Sequence, residues 1–296
     1  MSGTPLVRGD RVRCVGELMA DVVAHLPVEL AVGSDTRATV RLTGGGAGAN
    51  TAAWLAALGI RVALTARVGD DVAGRALVAD LAESGVDVAD VAVAPDTPTG
   101  TCLVLVDPHG ERTMVPDAGA NAALAGVAWS PGEHLHVSAY ALFHAGVREP
   151  VLDAVAAARA GGATVSLDLA SSAPLRSLGP DVVRGWCADT LVLANLDEAH
   201  VVTGRGDPAA AALELASWGR AAVVKAGRDG AWCAADDVVE RVPVPAVVTP
   251  VDTTGAGDAF AAGLLAALAG GATLSVAVNN GHAVAARVIQ RVGARP

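Results

Sequence analysis

The sequence predicts an α/β fold with a central, mostly parallel sheet flanked by helices and a small additional β-sheet. Three observations carry that reading. Apolar strand-like runs alternate with helix-spaced runs along most of the chain, and glycine clusters stand where strands give way to helices. Alanine and valine dominate, beside only five Trp, two Phe and one Tyr, so the core is built from small aliphatics.

The elements follow in order. An apolar strand at 11–16 leads to Glu17 and Asp21. A helix at 52–58 ends at Gly59, a strand follows at 61–67, and a helix at 74–84 stops at Gly85. Strands at 101–106 and 112–115 flank Asp107-Pro108-His109-Gly110, a strong hairpin turn. Next come a strand at 135–138, a helix at 151–160 and strands at 164–168 and 190–194. Helices at 196–203 and 208–218, a strand at 221–225 and a helix at 259–268 complete the reading. Two stretches, about 20–43 and 98–116, read as strands with turns and no long helix between them. They are expected to form a small sheet, serving as a lid on a single domain spanning 1–296.

Composition excludes several classes of function. A formal charge of −10 with no offsetting basic run argues against a nucleic-acid partner. Cys14, Cys102, Cys187 and Cys233 form no C-x-x-C pair, which fits reduced thiols in a cytoplasmic protein. Residues 1–10 lack the apolar core of an export signal. The uncharged window 259–280 is broken by Gly263, Gly270 and Gly271, so it reads as two helices rather than a membrane span.

The most chemically specific stretch is Asp252-Thr253-Thr254-Gly255-Ala256-Gly257-Asp258. Gly255, Ala256 and Gly257 allow a tight turn that exposes N–H groups at the start of a helix, an arrangement that attracts phosphate. Asp258 in the first turn could take a proton from a hydroxyl beside that phosphate. An anion site next to a base suggests phosphoryl transfer to an alcohol. A capped loop before an alanine-rich helix is the plainer reading.

A second cluster, Gly44 to Asn50, contains G-x-G-x-x-A, with Asp70 roughly where a ribose-binding acid falls, so a Rossmann-type NAD or FAD oxidoreductase is the rival. Against it, the cluster does not follow the first strand, and residues 252–260 would be left without a role. The alternative use is close backbone approach to a polyhydroxylated ligand, with Asn50 bonding hydroxyls. Asp21 could accept from two hydroxyls or be a solvated strand-end carboxylate. Asn195 and Glu198 share one face of a nascent helix, suited to water-mediated Mg²⁺ or to capping. The loop from Lys225 to Gly230 could line a nucleotide or be an ordinary hairpin turn, and Asp168 and His282 are ambiguous on local grounds.

Taken together, Gly45 to Asn50, Asn195 with Glu198, Lys225 to Gly230 and Asp252 to Phe260 resemble the ribokinase-like (pfkB) carbohydrate kinases, in order and spacing along nearly the whole chain. The resemblance implies ATP-dependent phosphorylation of a primary hydroxyl of a small sugar, or alternatively of a nucleoside. It makes Asp258 the base, with Gly255, Ala256 and Gly257 stabilising the transferring phosphoryl. Asp21, Gly45, Gly46 and Asn50 would hold the acceptor. Asn195, Lys225, Gly227, Arg228, Gly230, Gly257 and His282 would contact ATP, with Glu198 reaching Mg²⁺ through water. Asp252, Thr254 and Gly293, with backbone near Val288 and Arg291, resemble a monovalent-cation (K⁺) site. The sequence departs from the ribokinase pattern by stopping at Pro296, near where a final polar ligand would come, and by carrying Ala47 in place of Lys. Pairing of two lids into a homodimer is the expected assembly, because a small sheet exposes its edges.

Overall fold

In the computed structural model, which describes residues 5–124, 126–245 and 248–296, thirteen strands build two sheets. They are β1 (Arg11–Val15), β2 (Met19–His25), β3 (Thr39–Gly45), β4 (Arg61–Gly69), β5 (Val91–Ala94), β6 (Thr101–Val106), β7 (Arg112–Asp117), β8 (Glu133–Ser138), β9 (Val165–Asp168), β10 (Leu191–Asn195), β11 (Ala221–Lys225), β12 (Ala231–Ala235) and β13 (Val238–Val242). The large sheet runs β13-β12-β11-β10-β9-β8-β1-β4-β5, parallel except for β12, which pairs antiparallel with both β11 and β13.

Both faces of this sheet are covered, as continuous apolar strands require. In β10 and β11 the residues alternate between two cores. Leu191, Leu193, Ala221 and Val223 join one, with Trp54 and Phe260; Val192, Ala194, Ala222 and Val224 join the other, with Val151 and Leu215. The first core lies under helices Ala47–Ala57, Val72–Glu83, Ala256–Ala269 and Leu274–Val288, the second under Ala145–Ala160, Ser172–Leu178, Pro180–Cys187, Leu196–Thr203 and Pro208–Trp218.

The small sheet has the order β3-β2-β6-β7. β2–β3 and β6–β7 are antiparallel and β2–β6 parallel, so the sheet is mixed rather than a pair of simple hairpins. Its pleat sorts the side chains. Asp21 stands opposite Cys102, and Cys102 opposite Pro116, on the face toward the large sheet. Leu42, Val22, Leu103 and Val115 form the row on the outer face.

The structure departs from the sequence reading in three ways. The helix expected at 52–58 begins at Ala47, inside the glycine cluster, because Gly48 packs against Gly16 at the end of β1 with no room for a side chain. The helix expected at 151–160 begins at Ala145 and carries Pro150 within it. β5, β12 and β13, and the helices Ser172–Leu178 and Pro180–Cys187, are absent from the reading; β13 is largely exposed and offers no apolar alternation. The window 259–280 is two helices, joined through Gly271 at φ 82°, and no helix among the described residues is long and apolar enough to cross a membrane.

Candidate active site

Chain order reverses between β1 and β8, and ligands of open α/β sheets bind beyond the carboxyl ends of strands at such a point. Here that edge carries Glu17 after β1, Ser138 ending β8, Asp168 ending β9, Asn195 ending β10 and Lys225 ending β11. All five line one cleft of about 1260 Å³, roofed by Met19, Asp21, Cys102, Met114 and Pro116 of the small sheet.

Two helix starts meet in this cleft. Gly46 precedes the helix Ala47–Ala57 at φ 92°, and Gly255 precedes Ala256–Ala269 at φ 74°, a backbone region that side chains other than glycine's rarely tolerate. Space forbids larger residues as well. A Cβ on Gly46 would lie 2.3 Å from the Glu17 carbonyl oxygen, and one on Gly255 2.6 Å from the Ala294 Cβ. Asn50 and Asp258, one from each first turn, are joined directly: Asn50 Nδ2 donates to Asp258 Oδ2 at 2.9 Å. Burial pushes Asp258 up to about 6, against the pull of the Asn50 hydrogen bond.

Beneath the small sheet, Asp21 is 6% exposed and faces Gly45, whose missing Cβ would sit 2.2 Å from the carboxylate. Burial raises Asp21 to about 6, opposed by Arg295. The sequence reading did not anticipate Arg295. Its guanidinium donates to Asn50 Oδ1 at 3.3 Å, to the Gly45 carbonyl at 3.0 Å and to Asp80 at 2.8 Å. With its oxygen held by Arg295, the Asn50 amide must present its NH₂ to Asp258.

At the other side, Lys225 Nζ donates to Asp168 Oδ2 at 2.8 Å and lies 3.5 Å from where a Cβ on Gly257 would be. Burial opposes the Lys225 charge, but Asp168 and Glu198 outweigh it and hold its pKa above the ordinary value. Asn195 and Glu198 close a capping box. Asn195 N–H and Nδ2 donate to the two Glu198 carboxylate oxygens at 2.8 and 2.7 Å, and Glu198 N–H returns a bond to Asn195 Oδ1 at 2.9 Å. Burial, then Asp168, pushes Glu198 up to about 7. Gly227, Arg228 and Gly230 stand on the connection between antiparallel β11 and β12, so the loop is a hairpin turn that also lines the cleft. His282 is 8% exposed, packs edge-on to Phe260 with centroids 5.2 Å apart, and also lines the cleft.

Asp252 is engaged on every side. Oδ1 accepts from Thr254 N–H at 2.8 Å, from the Thr254 hydroxyl at 2.6 Å and from Arg112 at 3.2 Å, while Oδ2 accepts from Gly293 N–H at 3.0 Å. Burial would raise its pKa, but these partners outweigh it and keep the carboxylate below its ordinary range. Arg112 comes from β7 and also reaches the Thr253 and Thr254 hydroxyls, tying the small sheet to the Gly255 turn. Among the described residues no cluster of three or more His, Cys, Asp or Glu could hold a metal ion directly. Asp70 is paired with Arg75 on the surface, and the glycine cluster enters its helix from the small sheet, so the dinucleotide-binding rival loses both of its supports.

Residues 10–296 match the family model described as pfkB family carbohydrate kinase. The chain is 30% identical to the ATP-dependent ribose-1-phosphate kinase of Halopiger xanaduensis, over 96% of its own length and 94% of that protein. Its fold superposes on the adenosine kinase of Sinorhizobium meliloti with a TM-score of 0.85 at 25% identity, covering 97% and 96% of the two chains. On a fructokinase from Vibrio cholerae O395, solved with fructose, ADP and calcium bound, the TM-score is 0.83 at 30% identity, covering 96% and 94%.

Proposed function

The chain belongs to the pfkB family of carbohydrate kinases, and from that premise we propose that it transfers the γ-phosphoryl of ATP to a primary hydroxyl of a small sugar, with Asp258 as general base. As a member it is an ATP-dependent sugar or nucleoside kinase with a small-molecule acceptor. The observation that carries the finer reading is the position of the Asp258 carboxylate. It stands at a half-buried helix start on the cleft wall, between the Asn50 turn and Lys225, oriented by Asn50 at 2.9 Å.

In this scheme Asp258 takes the proton of the acceptor hydroxyl as its oxygen bonds to the γ-phosphorus, and the bond to the bridging oxygen breaks to release ADP. The N–H groups of Gly255, Ala256 and Gly257 hold the charge on the transferring phosphoryl, work that is mainly electrostatic and positional. Asp21, Gly45, Gly46 and Asn50 hold the other hydroxyls. Asn195, Lys225, Gly227, Arg228, Gly230 and His282 form the nucleotide side. The small sheet acts as a lid, excluding water from the transfer. A nucleoside acceptor is the second reading, favoured by the likeness to the adenosine kinase; the only tyrosine of the chain, Tyr140, is already packed edge-on against Phe143.

The donor set suits Mg²⁺ arriving with ATP, because both Glu198 oxygens are already hydrogen-bonded and no direct cage is present among the described residues. Bound Mg²⁺ would neutralise phosphate charge, with Glu198 reaching it through water. A K⁺ ion fits less well. Arg112 already supplies positive charge to Asp252, and Gly293 turns its N–H, not its carbonyl, to that carboxylate. Replacing K⁺ by tetramethylammonium is therefore expected to leave ADP release unchanged; a rate that collapses without K⁺ would restore the cation site of Asp252, Thr254 and Gly293.

The lid leaves β3 and β7 as open edges, and the outer row includes Leu42 at 77% and Val115 at 55% exposed. A lid-to-lid homodimer in the cytoplasm follows from this reading. Light scattering is expected to give twice the chain mass, and a strict monomer at high concentration rules the dimer out. The proposal as a whole is tested by ADP release from ATP·Mg²⁺ against sugars and nucleosides, and silence across the panel would refute it.

A further inference from the structure

The acceptor side of the cleft holds two polar side chains that the mechanism does not use. Glu17 follows β1, is 6% exposed and lines the cleft. Among the described residues no other side chain donates a hydrogen bond to its carboxyl group. Ser138, the last residue of neighbouring β8, is 2% exposed, and its Oγ has no hydrogen-bond partner among the described residues. The two end neighbouring strands: Val15 pairs with Val137, and a Cβ on Gly16, the residue before Glu17, would lie 3.1 Å from the Ser138 Cβ. Buried polar groups are normally hydrogen-bonded, so a Ser138 hydroxyl with no partner, near a Glu17 carboxyl met only by its own backbone N–H, points to a ligand group on this wall of the cleft.

The charges around this pair define what that group can be. Glu17 shares the acceptor side with Asp21 and Asp258, close enough that the three carboxyls act on one another. The cations nearby are committed: Lys225 to Asp168 at 2.8 Å, Arg112 to Asp252 at 3.2 Å and Arg295 to Asp80 at 2.8 Å. Arg228 is exposed on the nucleotide-side loop. His136 lies deeper in the floor, hydrogen-bonded to Ser166 and kept neutral by burial. A phosphate already on the acceptor would meet three carboxyl groups in a poorly solvated space, with no unpaired Lys or Arg on the acceptor side among the described residues to compensate it.

We propose that Glu17 and Ser138 form an acceptor subsite for a hydrogen-bond donor without negative charge, a hydroxyl or an amine distinct from the hydroxyl that is phosphorylated. The acceptor is therefore a compound that carries no phosphate. This rests on the kinase reading above, and it separates the chain from relatives that act on a sugar phosphate.

The experiment is the ADP-release panel run with paired acceptors, each sugar beside its own monophosphate, on wild type, Glu17→Gln and Glu17→Ala. The best acceptor is expected to lack phosphate, with kcat/KM at least tenfold above that of its monophosphate. Glu17→Ala is expected to raise the KM of that acceptor about tenfold with the KM of ATP unchanged, and Glu17→Gln, which keeps a hydrogen-bonding head, to restore most of the loss for a neutral sugar. A phosphorylated compound as best acceptor, or an acceptor KM indifferent to Glu17→Ala, overturns the proposal. If no acceptor is turned over, the kinase reading fails separately. Thermal-shift binding of the same panel then decides this one: stabilisation by an unphosphorylated compound that Glu17→Ala removes upholds it, and its absence overturns it.

Discussion

Asp258→Asn is expected to lower kcat by about 10²–10⁴-fold, the usual worth of a positioned general base, while KM for ATP and for the acceptor changes little. The amide keeps the shape of the side chain and can still accept from Asn50, so the helix start and its N–H groups stay in place. Wild-type kcat/KM should rise with pH through about 6, where the Asp258 carboxyl ionises, and that limb should be missing from the residual activity of the variant. Stability should move the other way. Because the folded pKa is raised from 3.8 to about 6, the contribution of this group is complete below its unfolded value and is lost as pH rises through the folded one. The variant, which has no charge to bury, should therefore melt higher than wild type above that range. Activity close to wild type in Asp258→Asn would remove Asp258 as the base.

Arg295→Ala is expected to lower kcat/KM for the acceptor by about a hundredfold. The guanidinium holds Asn50 Oδ1 and the Gly45 carbonyl, two points that shape the acceptor turn, and its side chain is only 11% exposed. Hydrogen bonds from a charged group are worth about 1.5–3 kcal/mol, and losing the hold on Asn50 frees its amide to turn the wrong way toward Asp258. KM for ATP should stay close to wild type, because the proposed nucleotide side is built on β10 and β11. Arg295→Lys should recover only part of the loss, since an ammonium cannot reproduce the planar fork that reaches both oxygens. An acceptor KM unaffected by Arg295→Ala would show that the turn holds its shape without it.

Much of the fold was legible because the apolar strands and helices have regular periods. β1, β4, β8, β9, β10 and β11 fall within a residue or two of where alternation and turn residues place them. β5 and β13 were not legible: both are short and largely exposed, so neither buried face leaves a pattern. The helix starts at Ala47 and Ala256 were placed too late, because glycines read locally as loop. Here they serve close backbone approach, and only the facing strand reveals that. The segments of the small sheet were recognised by their missing helices, but their order, with β2 parallel to β6, depends on long-range pairing.

By itself the sequence determined the class of chemistry. The run from Asp252 to Phe260 and the Gly45-to-Asn50 cluster are local devices, a turn and a helix start, whose function follows from backbone geometry that glycine spacing specifies. Tertiary structure alone decided how those devices are joined and tuned. Asn50 meets Asp258 across 208 positions, Arg112 meets Asp252 across 140, and Arg295 meets Asn50 across 245. No periodicity encodes such partners, since a lone arginine or glutamate looks alike on a solvated face and in a cleft. Burial against particular neighbours turns Arg295 into a support for the Gly45–Asn50 turn, Arg112 into a counter-charge for Asp252, and Ser138 into a buried hydroxyl without a partner on the cleft wall it shares with Glu17.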